Sequence, residues 1–391
     1  MKDVVVKNTA VQKIKSFNPW IYKNEIKKIP KDLKSGEIVR IYSTKKEFLG
    51  LGYANPLSKI TIRILTFFKE EDINKEFFKK RIENAYKKRI KFLKNTNAFR
   101  IIHSEADDLP GLIVDYFNKY LSIQINTAGI ERFREKIIQS LVEVINPEGI
   151  YEKSDEKARK KEGLKTEQKV IYGNIPEKIV IEENGVHFFI DLKTSQKTGF
   201  YLDQRKNRKI VSEYVEKGFR VLDLFSNTGG FGIYAGKKGA DFIKFVDISE
   251  SAVLLIGENA KLNNLKNFEI VKANVFNFVK EEVENEKKYD LIILDPPSFA
   301  KTKHEKEGAL RGFKYLIINS LKLLKKDGYL SVFSCSHHVS LTDLLEITKE
   351  AAKDTSVRVE ILEHLFQDID HPYLLNIPMS LYLKGFLLRK I

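Results

Sequence analysis

One cysteine occurs in the 391 residues, in the stretch LSVFSCSHHVS (330–340), where strand-forming residues give way to polar ones. Cys335 stands between Ser334 and Ser336 and is followed by His337 and His338. A single cysteine is often just a small core residue. At a strand tip between serines it is placed to react as a thiolate. Earlier in the chain, YDLIILDPPSFAK (289–301) runs from an apolar strand into Asp295-Pro296-Pro297. Two prolines stop a β-ladder and hold the chain extended, so the Asp295 carboxylate projects from the strand end. Further upstream, VLDLFSNTGGFG (221–232) joins a buried strand to a Gly-rich turn and a helix, and Asp247 ends the next strand in FVDIS.

These residues divide into a cofactor set and a chemical set. Gly229 and Gly230 let a backbone come close to a ligand. The pattern is not G-x-G-x-x-G, and no Walker lysine follows it. A carboxylate at the position of Asp247 can accept hydrogen bonds from a ribose diol. Asn274, in VKANVF, falls at the tip of the third strand, where an adenine edge would lie. A ligand with a ribose and a cationic centre but no pyrophosphate suits this set, which favours S-adenosylmethionine over NAD. The candidate cofactor-lining residues are Asp223, Phe225, Ser226, Asn227, Thr228, Gly229, Gly230, Asp247, Asn274 and Asp295.

The chemical set is Cys335 with Asp295. Asp-Pro-Pro at the end of the fourth strand resembles the [DN]-P-P of S-adenosylmethionine-dependent methyltransferases that act on nucleobases. Carbon 5 of a pyrimidine is a poor nucleophile. A thiolate adding to carbon 6 makes an enamine, and carbon 5 can then take a methyl group. Methylation of a base nitrogen or a ribose oxygen needs no such thiol, so Cys335 selects a pyrimidine carbon. Asp295 can hydrogen-bond N3 and the exocyclic amine as the thiolate adds. His337 and His338 are either loop residues or groups that lower the thiol pKa and take the carbon-5 proton. No metal site is expected, since one cysteine beside a His pair lacks ligand spacing.

Three segments must position these groups. Residues 1–72 contain short apolar runs such as SGEIVRIYST and KITIRILTFF separated by Gly, Asn and Pro, which predicts a small β-rich domain. Residues 73–185 open with INKEFFKKRIENAYKKRIKFLKN (73–95), whose Phe77, Phe78, Ile82, Tyr86, Ile90 and Phe92 fall at helical spacing. Strands, a Leu109-Pro110-Gly111 turn, an amphipathic helix in ERFREKIIQSLVEVI and a charged loop, SDEKARKKEGLK (154–165), complete this central α/β domain. Its Glu105, Asp107 and Asp108 read as a solvated loop rather than a metal cluster. Residues 186–391 alternate strand and helix, which predicts right-handed crossovers and a largely parallel sheet ending in an antiparallel member.

The net charge is +15, and its placement is informative. Residues 1–100 hold 25 Lys/Arg against 10 Asp/Glu, while the rest of the chain holds 43 of each. A basic excess confined to one end predicts a polyanionic partner, nucleic acid foremost. No apolar run approaches the roughly 20 residues that span a bilayer. The first residues, MKDVVVKNTAVQKIKSF, lack an apolar core with a cleavage site, and one cysteine forms no internal disulfide, so a cytoplasmic protein is expected.

In order along nearly the whole chain come NPWIYKNEI (18–26), HSEADDLPGLIVD (103–115), SDEKARKKEGL (154–164), KTGFYLDQR (197–205), LFSNTGGF (224–231), DPPSF (295–299), FSCS (333–336) and DHPYLLNIPMSLYLKGF (370–386). This series resembles the large-subunit methyltransferase I family, which makes 5-methylcytosine in 23S ribosomal RNA. The resemblance implies a PUA RNA-binding domain, a central α/β domain and a Rossmann-like methyltransferase domain. It makes Cys335 the nucleophile of an SCS motif and Tyr201, Asp203, Gln204 and Arg205 candidates to contact the cofactor or RNA. It implies a 23S ribosomal RNA partner and no membrane, with a homodimer left open. Two positions depart from the family pattern: Asn274 stands where relatives tend to carry Asp, and two histidines follow the SCS motif where many have Gly. The competing readings are 5-methyluridine formation, guanine N-methylation, and a ribosome-assembly factor that binds RNA without turnover.

Overall fold

The computed structural model describes residues 1–193, 198–300 and 302–391. The chain divides into two compact units. The first comprises Met1–Ile181, Ile190–Leu202 and Asp370–Pro378, and the second Glu182–Phe189, Asp203–Ile369 and Met379–Ile391.

The first unit holds two sheets. Residues 2–66 form a six-stranded sheet around a core that includes Val4, Val39, Ile41 and Ile62. Residues 98–173 supply a five-stranded sheet, with the helix Arg134–Ile145 crossing between its parallel pair Tyr120–Ile125 and Gly149–Lys153. The expected helix spans Lys75–Phe92, and Asn74 caps it by accepting from the Phe77 amide. Phe77, Phe78, Ile82 and Ala85 are buried, each large apolar side chain contributing about 1.5–3 kcal/mol. Ile90 and Phe92, expected on the same face, are 45% and 53% exposed. The buried stripe advances from 78 to 82, 85 and 89 instead, and its last place is taken by Arg89. The Arg89 guanidinium is buried and bidentate on Asp107, with Nη2–Oδ2 at 2.6 Å.

The acidic cluster is therefore not the solvated loop that its sequence suggested, because Glu105 and Asp107 serve as partners for other side chains. Asp107 is held by Arg89, and Glu105 accepts from the Trp20 indole at 2.8 Å. Among the described residues no group of three His, Cys, Asp or Glu is arranged to hold a metal. The segment expected as a charged loop at 154–165 contains a helix, Glu156–Lys161. Asp155 caps it by accepting from Ala158, Glu156 lies in the first turn, and Arg159, Lys160 and Lys161 lie in the last. This is the charge order that a helix dipole favours. Arg159 is buried there, donating to the Ile125 carbonyl at 2.6 Å.

The second unit is built on one seven-stranded sheet. Its strands are β1 (Arg220–Leu224), β2 (Phe242–Asp247), β3 (Phe268–Lys272), β4 (Tyr289–Leu294), β5 (Leu324–Ser334), β6 (Val359–Phe366) and β7 (Lys384–Lys390). Its helices are α1 (Arg205–Glu213), α2 (Gly230–Lys238), α3 (Glu250–Leu262), α4 (Val275–Glu284), α5 (Lys306–Leu323) and α6 (Leu341–Asp354). The strand order is β3-β2-β1-β4-β5-β7-β6. The first five strands in this order are parallel, as strand–helix alternation requires. The antiparallel member, expected at the edge, is β7, and it lies one place in, between β5 and β6. Burial explains that placement: Gly385–Leu388 of β7 are fully covered, while β6 is largely half-buried and suits an edge. Leu222, Leu224, Ile292, Leu294, Leu330 and Val332 join Phe313, Leu316 and Ile317 of α5 in the main core. The order of the strands reverses beside β1, so the carboxyl ends of β1 and β4 open a crevice at the switch point. Among the described residues no helix is long and apolar enough to cross a membrane.

Candidate active site

The turn after β1 is shaped by three left-handed residues, Phe225 (φ 61°), Asn227 (φ 50°) and Gly229 (φ 80°). Ser226 pins it to β2: its amide donates to the Val246 carbonyl at 3.1 Å, and its hydroxyl accepts from the Val246 amide at 2.9 Å. Asn259 of α3 donates to the Thr228 carbonyl at 3.0 Å. Gly229 meets the demand for positive φ without strain. Gly230 allows a close approach, but to protein: a Cβ there would lie 3.0 Å from Arg208 Cδ. On its Cβ side Gly230 thus lies next to a buried guanidinium.

Arg208 donates both arms to Glu183, at 2.6 and 2.8 Å, and both side chains are almost fully buried. Breaking such a pair from one side leaves a buried charge uncompensated. Arg208→Met should therefore cost about 3–5 kcal/mol in urea unfolding, and adding Glu183→Leu should recover most of it. Equal stability of the single and double variants would remove this pair from the scaffold.

Three carboxylates converge on the ends of β1, β2 and β4. Asp223 is 2% exposed, and its Oδ2 accepts from the Gly232 amide at 2.9 Å. Asp247 is half-buried and accepts from the amides of Asn227 and Ser249, each at 2.9 Å. Asp295 is half-buried just beyond β4. Burial pushes the Asp223 carboxyl up to about 7, and the charges of Asp295 and Asp247 add to the rise against the Gly232 bond. A set of mutually repelling carboxylates suits a cationic ligand, and the Asp247 oxygens retain lone pairs for a diol. The residues present therefore suit the sulfonium, amine and ribose of S-adenosylmethionine.

The raised Asp223 pKa also carries a stability prediction. Its folded value exceeds the ordinary 3.8, so the folded state holds the proton longer than the unfolded chain does. Stability from this group is complete below about pH 4 and is lost as pH rises through about 7. A shift of three units corresponds to about 4 kcal/mol. Asp223→Asn should flatten the fall in melting temperature between pH 4 and 8; an unchanged pH profile would count against it.

The segment from Asp203 onward belongs to the second unit. Gln204 donates to Asp295 Oδ2 at 3.0 Å and accepts from Asn207 at 2.6 Å, which orients the Asp295 carboxylate. Asp203 accepts from the Tyr382 hydroxyl at 2.6 Å, and Arg205 pairs with Asp368 at 2.8 Å with only 4% of its side chain exposed. Asp203 and Arg205, expected to contact cofactor or RNA, are thus engaged with protein partners. Tyr201 groups with the first unit, and Lys197, which opens the motif, lies outside the described residues. Asn274 caps α4 by accepting from the Phe276 amide at 2.9 Å, leaving its side chain exposed beside the crevice. Phe225, Phe276 and Phe299 form a chain of aromatic contacts, 6.2 and 5.9 Å between centroids, along the same edge. Sequence spacing pointed to none of these rings as a set.

Cys335 lies one residue past β5 and is half-buried. Parallel pairing sets Leu294 against Val332, so Asp295 and Cys335 extend beyond neighbouring strands at the same end of the sheet. Their loops are joined, because the Ser336 hydroxyl donates to the Ala300 carbonyl at 2.7 Å. His337 is exposed and its pKa is lowered by partial desolvation and then by the charge of Lys384. Lys384, at the start of β7, is itself buried, which its place in the sequence between apolar neighbours does not announce.

A family model for a PUA-like domain matches residues 4–67, and one for S-adenosylmethionine-dependent methyltransferases matches residues 165–372. The chain is 40% identical to the ribosomal RNA large subunit methyltransferase I of Aeromonas salmonicida, with 95% of each chain covered. It is 39% identical to that of Tolumonas auensis, with 96% of each covered. Among solved structures, a SAM-dependent methyltransferase of Streptococcus mutans aligns over the full length of both chains with a TM-score of 0.84 at 23% identity. A second, described as a methyltransferase complexed with SAH, gives 0.86 at 24% and likewise shares the fold. With relatives of this closeness along its whole length, the chain belongs to the ribosomal RNA large subunit methyltransferase I family of S-adenosylmethionine-dependent methyltransferases.

Proposed function

We propose that this methyltransferase forms 5-methylcytosine in 23S ribosomal RNA through a covalent bond between Cys335 and carbon 6 of the base. The observation that carries the reading is the single cysteine standing just past β5 while the neighbouring β4 ends in Asp-Pro-Pro. The names of the relatives supply the ribosomal RNA. The proposed division is a PUA-like RNA-binding domain over 1–72, a central domain over 73–185 and the methyltransferase domain over 186–391. Exposed lysines such as Lys23, Lys27, Lys28, Lys31 and Lys34 give the first of these a surface for phosphates.

S-adenosylmethionine, when bound, supplies an electrophilic methyl group. Asp247 is assigned its ribose, the Phe225–Gly230 turn its approach, Asn274 its adenine edge, and Asp223 the neighbourhood of its charged end. The cytosine stands between Asp295 and Cys335. The thiolate adds to carbon 6, and the electron pair of the carbon 5–carbon 6 double bond moves onto carbon 5. Asp295, held by Gln204, hydrogen-bonds N3 and the exocyclic amine as charge builds. Once carbon 5 is methylated, a general base removes its proton, the double bond re-forms and the carbon 6–sulfur bond breaks. Mass spectrometry of nucleosides from 23S RNA treated with enzyme and cofactor should find 5-methylcytidine. Finding 5-methyluridine or a methylguanosine in its place would overturn the assignment.

A further inference from the structure

Lys384 is a lysine in a place where lysines are costly. It opens β7 in antiparallel register with Ser334, and 5% of the residue is exposed. Its ammonium donates to the Ser336 carbonyl and, at 3.0 Å, to the Tyr382 carbonyl. Among the described residues no carboxylate forms an ion pair with it. A buried cation without a carboxylate calls for another anion nearby. The Ser336 carbonyl belongs to the residue that follows Cys335, and the sulfur acts electrostatically on the lysine.

We propose that Lys384 is the positioning residue of Cys335: its buried ammonium fixes the backbone that carries the thiol and supplies the charge that keeps the sulfur a thiolate. The proposal rests on the nucleophile reading above and deepens it. Desolvation pushes the lysine down to about 8, while Cys335 and Asp343, at the start of α6, act to raise it. The remaining groups around it are His337 and His338 on the cysteine loop and Tyr382, which is bonded to Asp203. His337 does not compete with the lysine as a fixed positive charge, since desolvation and then the Lys384 charge lower its pKa. Lys384 is thus a buried positive charge next to the cysteine loop that acts on the sulfur.

Because the chain has one cysteine, alkylation by iodoacetamide reports on Cys335 alone. The rate should be measured against pH in the full-length protein, in Lys384→Met and in Lys384→Arg, with melting curves for each. The wild-type midpoint should fall below the ordinary thiol value of about 8.5. Lys384→Met should raise it by at least about one unit and slow alkylation at pH 7 about tenfold. Lys384→Arg, which keeps the charge, should stay close to wild type. A wild-type midpoint at or above 8.5 overturns the proposal, whether or not the methionine variant folds. So does a folded methionine variant with an unchanged midpoint. This titration does not depend on methyl transfer, so it is separable from failure of the nucleophile reading, which an active Cys335→Ala enzyme would reveal.

Discussion

Cys335→Ala is expected to transfer no methyl group to RNA, with turnover below about one part in 10⁴ of wild type. Removing a nucleophile from a covalent mechanism leaves only the rate that binding and electrostatics provide. The loss should appear in single-turnover assays with radiolabelled cofactor and full-length 23S RNA. Cofactor affinity, measured by calorimetry, should not change, because the turn from Phe225 to Gly230 is held by Val246, Asp247 and Asn259 rather than by the cysteine loop. Stability should change little as well, since a half-buried thiol is replaced by a slightly smaller side chain. A Cys335→Ala protein that loses cofactor binding together with activity would signal disruption of the site rather than loss of a nucleophile.

The second large effect is expected at Asp295. Asp295→Asn keeps the size of the side chain but removes the carboxyl group that accepts from the exocyclic amine and, when protonated, donates to N3 as the thiolate adds. A loss of about 10²–10³ in kcat is expected, as for removal of one preorganised electrostatic partner. Gln204 supports that carboxylate from the side, so Gln204→Ala should show a smaller loss of the same kind. The two single changes and their combination form a cycle, and the double variant should be no worse than Asp295→Asn alone. Full additivity would mean that Gln204 acts elsewhere.

Much of the second unit is legible along the chain because its information is local. Each parallel strand is a short apolar run, and the candidate side chain follows where the run stops: Asp247 after FIKFV, Asp295 after LIIL, Cys335 after LSVFS. Alternation with helices then forces all those ends onto one side of the sheet. What escapes the sequence depends on distant partners. Lys384 reads as a solvated lysine between apolar neighbours, and only the insertion of β7 between β5 and β6 buries it beside the cysteine loop. Gln204 meets Asp295 across most of a hundred residues, a pairing that spacing cannot announce. The packing of Arg208, from a preceding helix, against the Cβ side of Gly230 is likewise a distant pairing that spacing does not announce. The helix at Glu156–Lys161 was within reach of local rules, since Asp155 is a good cap, but its density of charge suggested a loop.

The covalent step can be observed directly. RNA containing 5-fluorocytidine at the target position carries a fluorine that cannot leave as a proton does, so the methylated adduct has no route to release the sulfur. Incubated with enzyme and S-adenosylmethionine, this RNA should yield a protein–RNA species that survives denaturing electrophoresis, maps to Cys335 by mass spectrometry and is absent with Cys335→Ala. Normal turnover on unmodified RNA with no such species on the fluorinated RNA would contradict a cysteine adduct.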